Sequence, residues 1–357
     1  MDHEHKQREA FYLTKKYSSL TWYQEIYRLW TRFCVGYEDM LRHPEISLKG
    51  EPVTEWWEQN FRMFWGYAGD MEEGLMLLRK GDKARGYECL GSGTRFHTWL
   101  YSRRFEDTDL SELGYRRSKD LGASEGIFAD AEKAHDMAMA SAISRHTDDL
   151  RRDYVSLPSS YYETQEVPIA AKLKTPYGVS PGALPPLPPL DANAPSVMSG
   201  EDVSAMGIWV VEPDKTHRDQ TYCMAYMRPW APALFRTSEQ EYEINTRFTR
   251  TRDERFRKDA DEIKDYAVRW RLLWRDDRDY SDGKVPPEEA DYLVYRGEHV
   301  DTPTKTIRLR CESGHLCPQS GLWFTPTGGG IRRDFVQGDV MPDMKSEWGT
   351  TVWQLET

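Results

Sequence analysis

The densest group of chemically capable side chains is Cys311-Glu-Ser-Gly-His315-Leu-Cys317-Pro-Gln-Ser-Gly321-Leu-Trp323, where two thiols and an imidazole fall within seven residues. Thiolate and imidazole are preferred zinc ligands, so Cys311, His315 and Cys317 would furnish three of the four that a structural site takes. The fourth has no candidate at diagnostic spacing, because no second CxxC-type pair occurs. The plain alternative is two small, partly buried thiols in a tight turn, and no metal is assigned. A disulfide between them is allowed by reach and opposed by a reducing compartment.

Other chemical readings fall away on spacing. Gly328-Gly-Gly330 lacks the GKS/T ending of a phosphate loop, and Ile331-Arg332-Arg333 after it reads as a strand rather than a helix. Gly91-Ser-Gly93-Thr-Arg-Phe-His97 lacks the spacing of a dinucleotide fingerprint and reads as an interhelical turn. No GxSxG, HExxH, kinase-type or QACxG pattern occurs, and the nine histidines have no partner carboxylate at diagnostic spacing. No catalytic residue and no cofactor are assigned. The enzymatic alternative is a site assembled from distant positions.

The elements that carry these residues change character along the chain. Residues 1–155 read as a helical bundle. Tyr23, Ile26, Trp30, Phe33, Tyr37 and Leu41 recur at spacings of three and four, with Thr21 and Gln24 as a capping box and His43-Pro44 as a stop. A second helix is expected from Thr54 to about Lys80, with Trp57, Phe61, Phe64, Ala68, Met71 and Leu75 on one stripe. Ala131, Ala134, Ala138 and Ala142 mark a further helix able to pack closely. Residues 156–200 lose this periodicity, and the run of prolines between Ser180 and Leu190 predicts a stiff linker, with a docking peptide as the alternative.

Residues 201–300 read as a mixed segment. A short strand, Gly207 to Val211, precedes a long charged helix opened by Ser238 and Glu241, running to about Asp277 and carrying Ile263, Trp270 and Trp274. The arginines between Arg247 and Arg257 are interleaved with Asp253 and Glu254, the pattern of a solvated, ion-paired face rather than a nucleic-acid patch. Strands at 307–311, 322–325, 331–337 and 350–355 make residues 301–357 a small β-rich module. The expected fold class is therefore α+β, a mostly helical N-terminal domain followed by a smaller mixed, β-rich C-terminal module.

Charge and composition bound the partner. A formal charge of -11 disfavours nonspecific binding to nucleic acid or anionic membrane, both of which call for a basic surface. Thirteen Trp, 20 Tyr and 12 Phe supply bulky material for cores and contacts. The residues after Met1 are neither basic nor apolar enough for a secretory signal, no stretch is long enough to span a membrane, and five cysteines are sparse and odd in number. These features predict a cytoplasmic protein with reduced thiols.

Taken together, CESGHLCPQSGLWFTPTGGGIRRDFVQGDVMP followed by WGTTVWQLE resembles the C-terminal signature of immunity proteins from bacterial polymorphic toxin systems. Its elements are Cys317-Pro-x-Ser-Gly-x-Trp323, Arg333 and Phe335, Gly338-Asp339 with Pro342, and Trp353. The resemblance implies a protein that binds a cognate toxin, often one delivered by type VI secretion, and performs no chemistry. An acidic surface would then meet a basic toxin such as a nuclease, with aromatic anchors supplying the retained energy. Trp56, Trp57, Trp65, Trp230, Trp270 and Trp274 are the candidate anchors, although an aromatic at helical spacing is more often core than interface. The competing readings are an adaptor or chaperone that loads an effector, and a zinc protein or enzyme centred on Cys311, His315 and Cys317.

Overall fold

In the computed structural model of the chain, two helices, α1 (His3–Tyr17) and α2 (Leu20–Arg42), open the sequence. The structure describes residues 3–43, 55–96, 130–131, 133–135, 137–138, 141, 184–212, 224–229, 236–237, 265–295, 298–299, 309–345 and 349–356. It divides into two compact units, each assembled from distant parts of the chain. Residues 1–19, 139–278 and 287–297 form one, and residues 20–138, 279–286 and 298–357 the other. The class is α+β, with helices in the N-terminal part and antiparallel sheets in the C-terminal part.

The first unit is built on a four-stranded antiparallel sheet. Its strands are β1 (Ser196–Met198), β2 (Gly207–Val211), β3 (Met224–Met227) and β6 (Arg269–Arg275), in the order β1-β6-β2-β3. Two-residue strands β4 (Arg236–Thr237) and β5 (Asp265–Tyr266) pair separately. Residues 265–266 and 269–275 are strands, where a helix running to about Asp277 was expected. The spacing of Trp270 and Trp274 misled because residues i and i+4 share a face in a helix and in a regular strand alike.

This strand is not regular. The register of β2 against β6 shifts between Ile208 and Trp209, pairing Ile208 with Trp274 but Trp209 with Leu272. The bulge rotates the side-chain alternation, so Trp270 and Leu272 join Trp209 and Val211 in one core while Trp274 turns to the other face. There it meets Phe11 of α1 edge-on at 6.4 Å. Gly207 makes the close approach at the strand end possible, since a Cβ at its φ of 153° would stand 2.0 Å from the Trp274 carbonyl oxygen.

α1 is fastened to this sheet through a buried ion cluster. Asp276 accepts a two-pronged contact from Arg278 at 2.9 and 2.7 Å, and Arg278 also donates to the carbonyls of Lys15 and Ser18. Tyr226 donates to Asp276 at 2.5 Å, and the Glu289 carboxylate lies 3.6 Å from Arg278. Arg8 reaches the carbonyls of Leu184 and Pro185, holding the start of the described proline-rich run against α1. In the same helix, burial pushes the Lys16 amine down to about 7.

The second unit packs α2 against α3 (Glu55–Arg79) and α4 (Lys83–Gly93). α2 begins at Leu20, with Thr21 and Gln24 in its first turn and a half. Trp30 is its centre, stacked on Phe96 at 3.9 Å, edge-on to Phe64 at 5.5 Å, and donating its indole N–H to the Phe64 carbonyl at 2.9 Å. α3 ends where Gly81 takes a φ of 85°, and Asp82 then caps α4 by accepting from the Arg85 amide. Glycine faces glycine where these helices cross: a Cβ on Gly74 would stand 2.8 Å from the Gly86 carbonyl oxygen. Gly91 and Gly93 belong to the last turn of α4 rather than to an interhelical turn, and the absent Cβ of Gly93 leaves room for Met71.

The remaining strands are β7 (Val294–Tyr295), β8 (Glu298–His299), β9 (Arg310–Glu312), β10 (Gly321–Thr325), β11 (Ile331–Phe335) and β12 (Val352–Leu355). β9 to β12 form an antiparallel sheet in the order β11-β10-β12-β9 and belong to the same unit as α2, α3 and α4. Their positions follow the expected strands closely, with every boundary within two residues except the start of β9 at Arg310, three residues after Ile307.

Lys16 gives the first unit a testable pH dependence. Its folded pKa lies below the unfolded value, so the folded state holds fewer protons between about 7 and 10.5 and stability rises with pH across that window. Below pH 7 the burial penalty is present in full. Lys16→Met should raise the thermal midpoint at pH 6 by the equivalent of on the order of 2 kcal/mol or more, and by progressively less toward pH 10. A stabilisation that is the same at both pH values would show that the amine is not the source.

Candidate interaction surface

The Cys311–Trp323 segment is a folded turn that uses its polar groups internally. Cys317 donates its amide to the Asp339 carbonyl at 2.7 Å, and Gly338 donates to the Cys317 carbonyl at 2.9 Å. The Trp323 indole donates to the Gln319 carbonyl at 3.0 Å, and that of Trp353 to the Pro342 carbonyl at 2.9 Å. Phe335 meets Trp353 edge-on at 5.1 Å, while Cys311, Cys317 and Met341 fill the space beside them. The signature residues Cys317, Trp323, Phe335 and Trp353 thus build one small core, whereas Arg333 is exposed.

Cys311 and Cys317 are free, buried thiols, and His315 is exposed. The Cys311 thiol lies 3.5 Å from the Leu316 carbonyl and that of Cys317 lies 3.1 Å from the Gln319 carbonyl, so both act as weak donors to backbone. Burial, then the neighbouring Cys317, pushes the Cys311 thiol up, away from the thiolate that a metal or an electrophile would require. Among the described residues no group of three or more His, Cys, Asp or Glu is arranged to hold a metal ion.

The alternation that buries Cys317 and Met341 turns their neighbours outward. Leu316 and Val340 face each other across an antiparallel bridge and are 64% and 62% exposed, with Val336 nearby in sequence at 65%. Asp339 lies between Val336 and Val340 and accepts the Val336 amide at 2.8 Å.

The candidate tryptophan anchors separate on burial. Trp57 and Trp270 are 6% and 1% exposed and sit in the cores of their units, as does Trp65. Trp274 is half-buried beneath two cations, with Lys15 4.5 Å and Arg278 5.1 Å from its ring. The Trp56 side chain and the whole of Trp230 lie outside the described residues, as do Ser238, Glu241 and Ile263.

What the sequence reading missed is a seam of buried charge where the C-terminal sheet meets α2 and α3. Glu38, Glu72 and Glu73 are 8%, 1% and 3% exposed. Arg310 donates through Nε to Glu72, the Thr350 amide donates to Glu73 at 3.2 Å, and Arg332 grips Glu38 with both terminal nitrogens at 2.7 and 3.0 Å. Arg332 also reaches Glu356, and its guanidinium lies over the Phe324 ring at 4.9 Å. Burial works to lower the Arg310 pKa, but the Glu72 carboxylate outweighs it and holds the group above its ordinary value. Tyr27, its phenol pushed up by burial and by Glu72, accepts from Gln354 at 3.0 Å. The carboxylates are buried but the Arg310 and Arg332 side chains stay 34% and 24% exposed, so removing one arginine costs on the order of 1–3 kcal/mol. The signal was legible in principle: two adjacent carboxylates interrupt the apolar run around Met71 and Leu75.

Residues 1–154 match the model of the family Immunity protein 71. No curated protein and no solved structure matches the chain. The matched segment is the helical region and excludes the C-terminal signature from which the resemblance to immunity proteins was read, so the same class is reached from a separate part of the chain. No helix among the described residues is long and apolar enough to cross a membrane.

The thiols provide a direct check on the turn. With Cys223 replaced by Ser, Ellman's reagent should find Cys34, Cys89, Cys311 and Cys317 roughly a hundredfold slower in the native protein than after unfolding. Rapid labelling of Cys311 in the native state would reopen it as a ligand or nucleophile.

Proposed function

We propose that this protein, an immunity protein of a toxin system by the match of residues 1–154, resides in the cytoplasm and neutralises one cognate antibacterial toxin by stoichiometric contact. That match is the observation that carries the reading. An inhibitor of this kind performs no chemistry, which agrees with a sequence without catalytic motifs. It needs a surface that is ordered before the toxin arrives, because ordering costs then subtract little from affinity. The stacked aromatics around Trp30 and the charge seam at Glu72 supply such a scaffold.

The formal charge of -11 favours a toxin with a basic face, such as a nuclease effector of a polymorphic system delivered by type VI secretion. Steering between opposite charges raises association rates and speeds capture before damage accumulates. Nucleic acid and membrane are not partners in this reading.

Co-expression with a secreted effector encoded by a neighbouring gene, where one is found, should restore growth, and the two proteins should co-purify. The association rate should fall about tenfold or more as salt is raised from about 50 to 500 mM. Continued toxicity with no recoverable complex sinks the proposal. If cells survive the effector without this protein but no longer secrete it, the protein is instead an effector-loading adaptor.

A further inference from the structure

The family match ends at residue 154, yet the helices it contains are closed by residues 309–356. The stretch of α3 from Met71 to Leu78 is buried at all eight positions, so it needs walls on every side. α4 provides one through the Gly74–Gly86 crossing. The C-terminal module provides another: Val352 packs with Met76, Leu77 and Cys89, and Phe324 meets Trp65 at 4.7 Å. The turn between β10 and β11 lies directly on α3, where Gly330, at a φ of 79°, leaves no room for a Cβ beside Trp65.

The polar contacts have the same direction. Glu38, Glu72 and Glu73 lie within the matched segment, whereas Arg332, Arg310 and the Thr350 amide lie outside it. Arg42 also contacts Glu38, but from a side chain that is 60% exposed, and burial lowers the pKa of Arg79 near Glu72. An uncovered α3 would therefore expose Val352's apolar partners and lose the Arg310 ion pair from Glu72.

We infer that residues 20–96 and 309–356 are one cooperative unit, in which the C-terminal sheet is the obligate in-chain partner of the α2–α3 face. That face is accordingly unavailable to any external partner. The inference concerns the folding unit and stands whichever molecule the protein binds.

Native-state hydrogen exchange on the full wild-type chain tests it without any variant. Under increasing sub-denaturing urea, the slowest amides of α3 and those of β10 and β12 should merge into one opening event with a common denaturant dependence. Exchange of the sheet at lower urea, with α3 still protected, overturns the inference. In the full chain, Arg310→Met should speed exchange across residues 71–78 at least tenfold, and Glu72→Gln combined with Arg310→Met should recover a large part of that protection. An effect confined to residues 309–312 also overturns it. If the single variant does not fold, the wild-type urea series still decides.

Discussion

Glu72 and Glu73 stand side by side in the most deeply buried stretch of α3, and the need to satisfy both carboxylates constrains everything packed around them. A buried carboxylate without partners loses several kcal/mol relative to water, a large share of the roughly 5–15 kcal/mol by which domains are stable. The fold answers the two carboxylates in part by bringing in a sheet from residues 309–356, with Arg310 of its edge strand on Glu72 Oε1 and the Thr350 amide just before β12 on Glu73, while Glu72 Oε2 keeps no hydrogen bond among the described residues. Once those two contacts are made, the register of the sheet fixes the rest. Pairing of Phe324 with Arg332 and Gln354 places the aromatic ring, the guanidinium and the amide in one row. That row meets Trp65, Glu38 and Tyr27.

The first unit solves a similar problem with the roles reversed. There the buried cation is Arg278, and it collects Asp276, Glu289 and two carbonyls at the C-terminal end of α1, those of Lys15 and of Ser18 just beyond it. Those carbonyls carry the negative end of the helix dipole, so a guanidinium placed there satisfies orphan acceptors and the dipole together. Both units thus use arginine to fasten a helix to a sheet, and arginine suits the task because its planar fork serves several acceptors at once. Such fastening narrows the geometry more than apolar contact does, since each donor must point at its acceptor. For a protein whose proposed work is to present a preformed surface, that narrowing is directly useful.

How much of this was legible depended on whether a pattern was local. The α2 stripe, the long second helix and the four C-terminal strands follow from periodicity within a few residues, and their positions agree with the structure. The strand at Arg269–Arg275 did not, because a bulge and an i, i+4 tryptophan pair imitate helical spacing. A period-2 count over Val268, Trp270 and Leu272 against Arg269 and Arg271 would have favoured strand. Partners separated by more than two hundred residues, as Glu72 and Arg310 are, leave no periodic trace. The sequence shows that two carboxylates interrupt an apolar run; only the fold shows what answers them.

The same distinction explains why the C-terminal residues that carried the resemblance do not mark a site. Cys317, Trp323, Phe335 and Trp353 are spaced as they are because each must reach one small core, and a core imposes residue type and spacing strictly. A partner-binding surface imposes neither in advance, since it is defined by complementarity to another molecule. Leu316 and Val340, paired in an isolated bridge, are outward for the plain reason that their buried neighbours in sequence, Cys317 and Met341, are inward. The alternation therefore determines that apolar side chains are presented there, while their identities carry no motif. In a protein of the proposed kind, function would enter the sequence mainly through the scaffold that holds the surface, and the second unit's scaffold is drawn from residues 20–96 and 309–356.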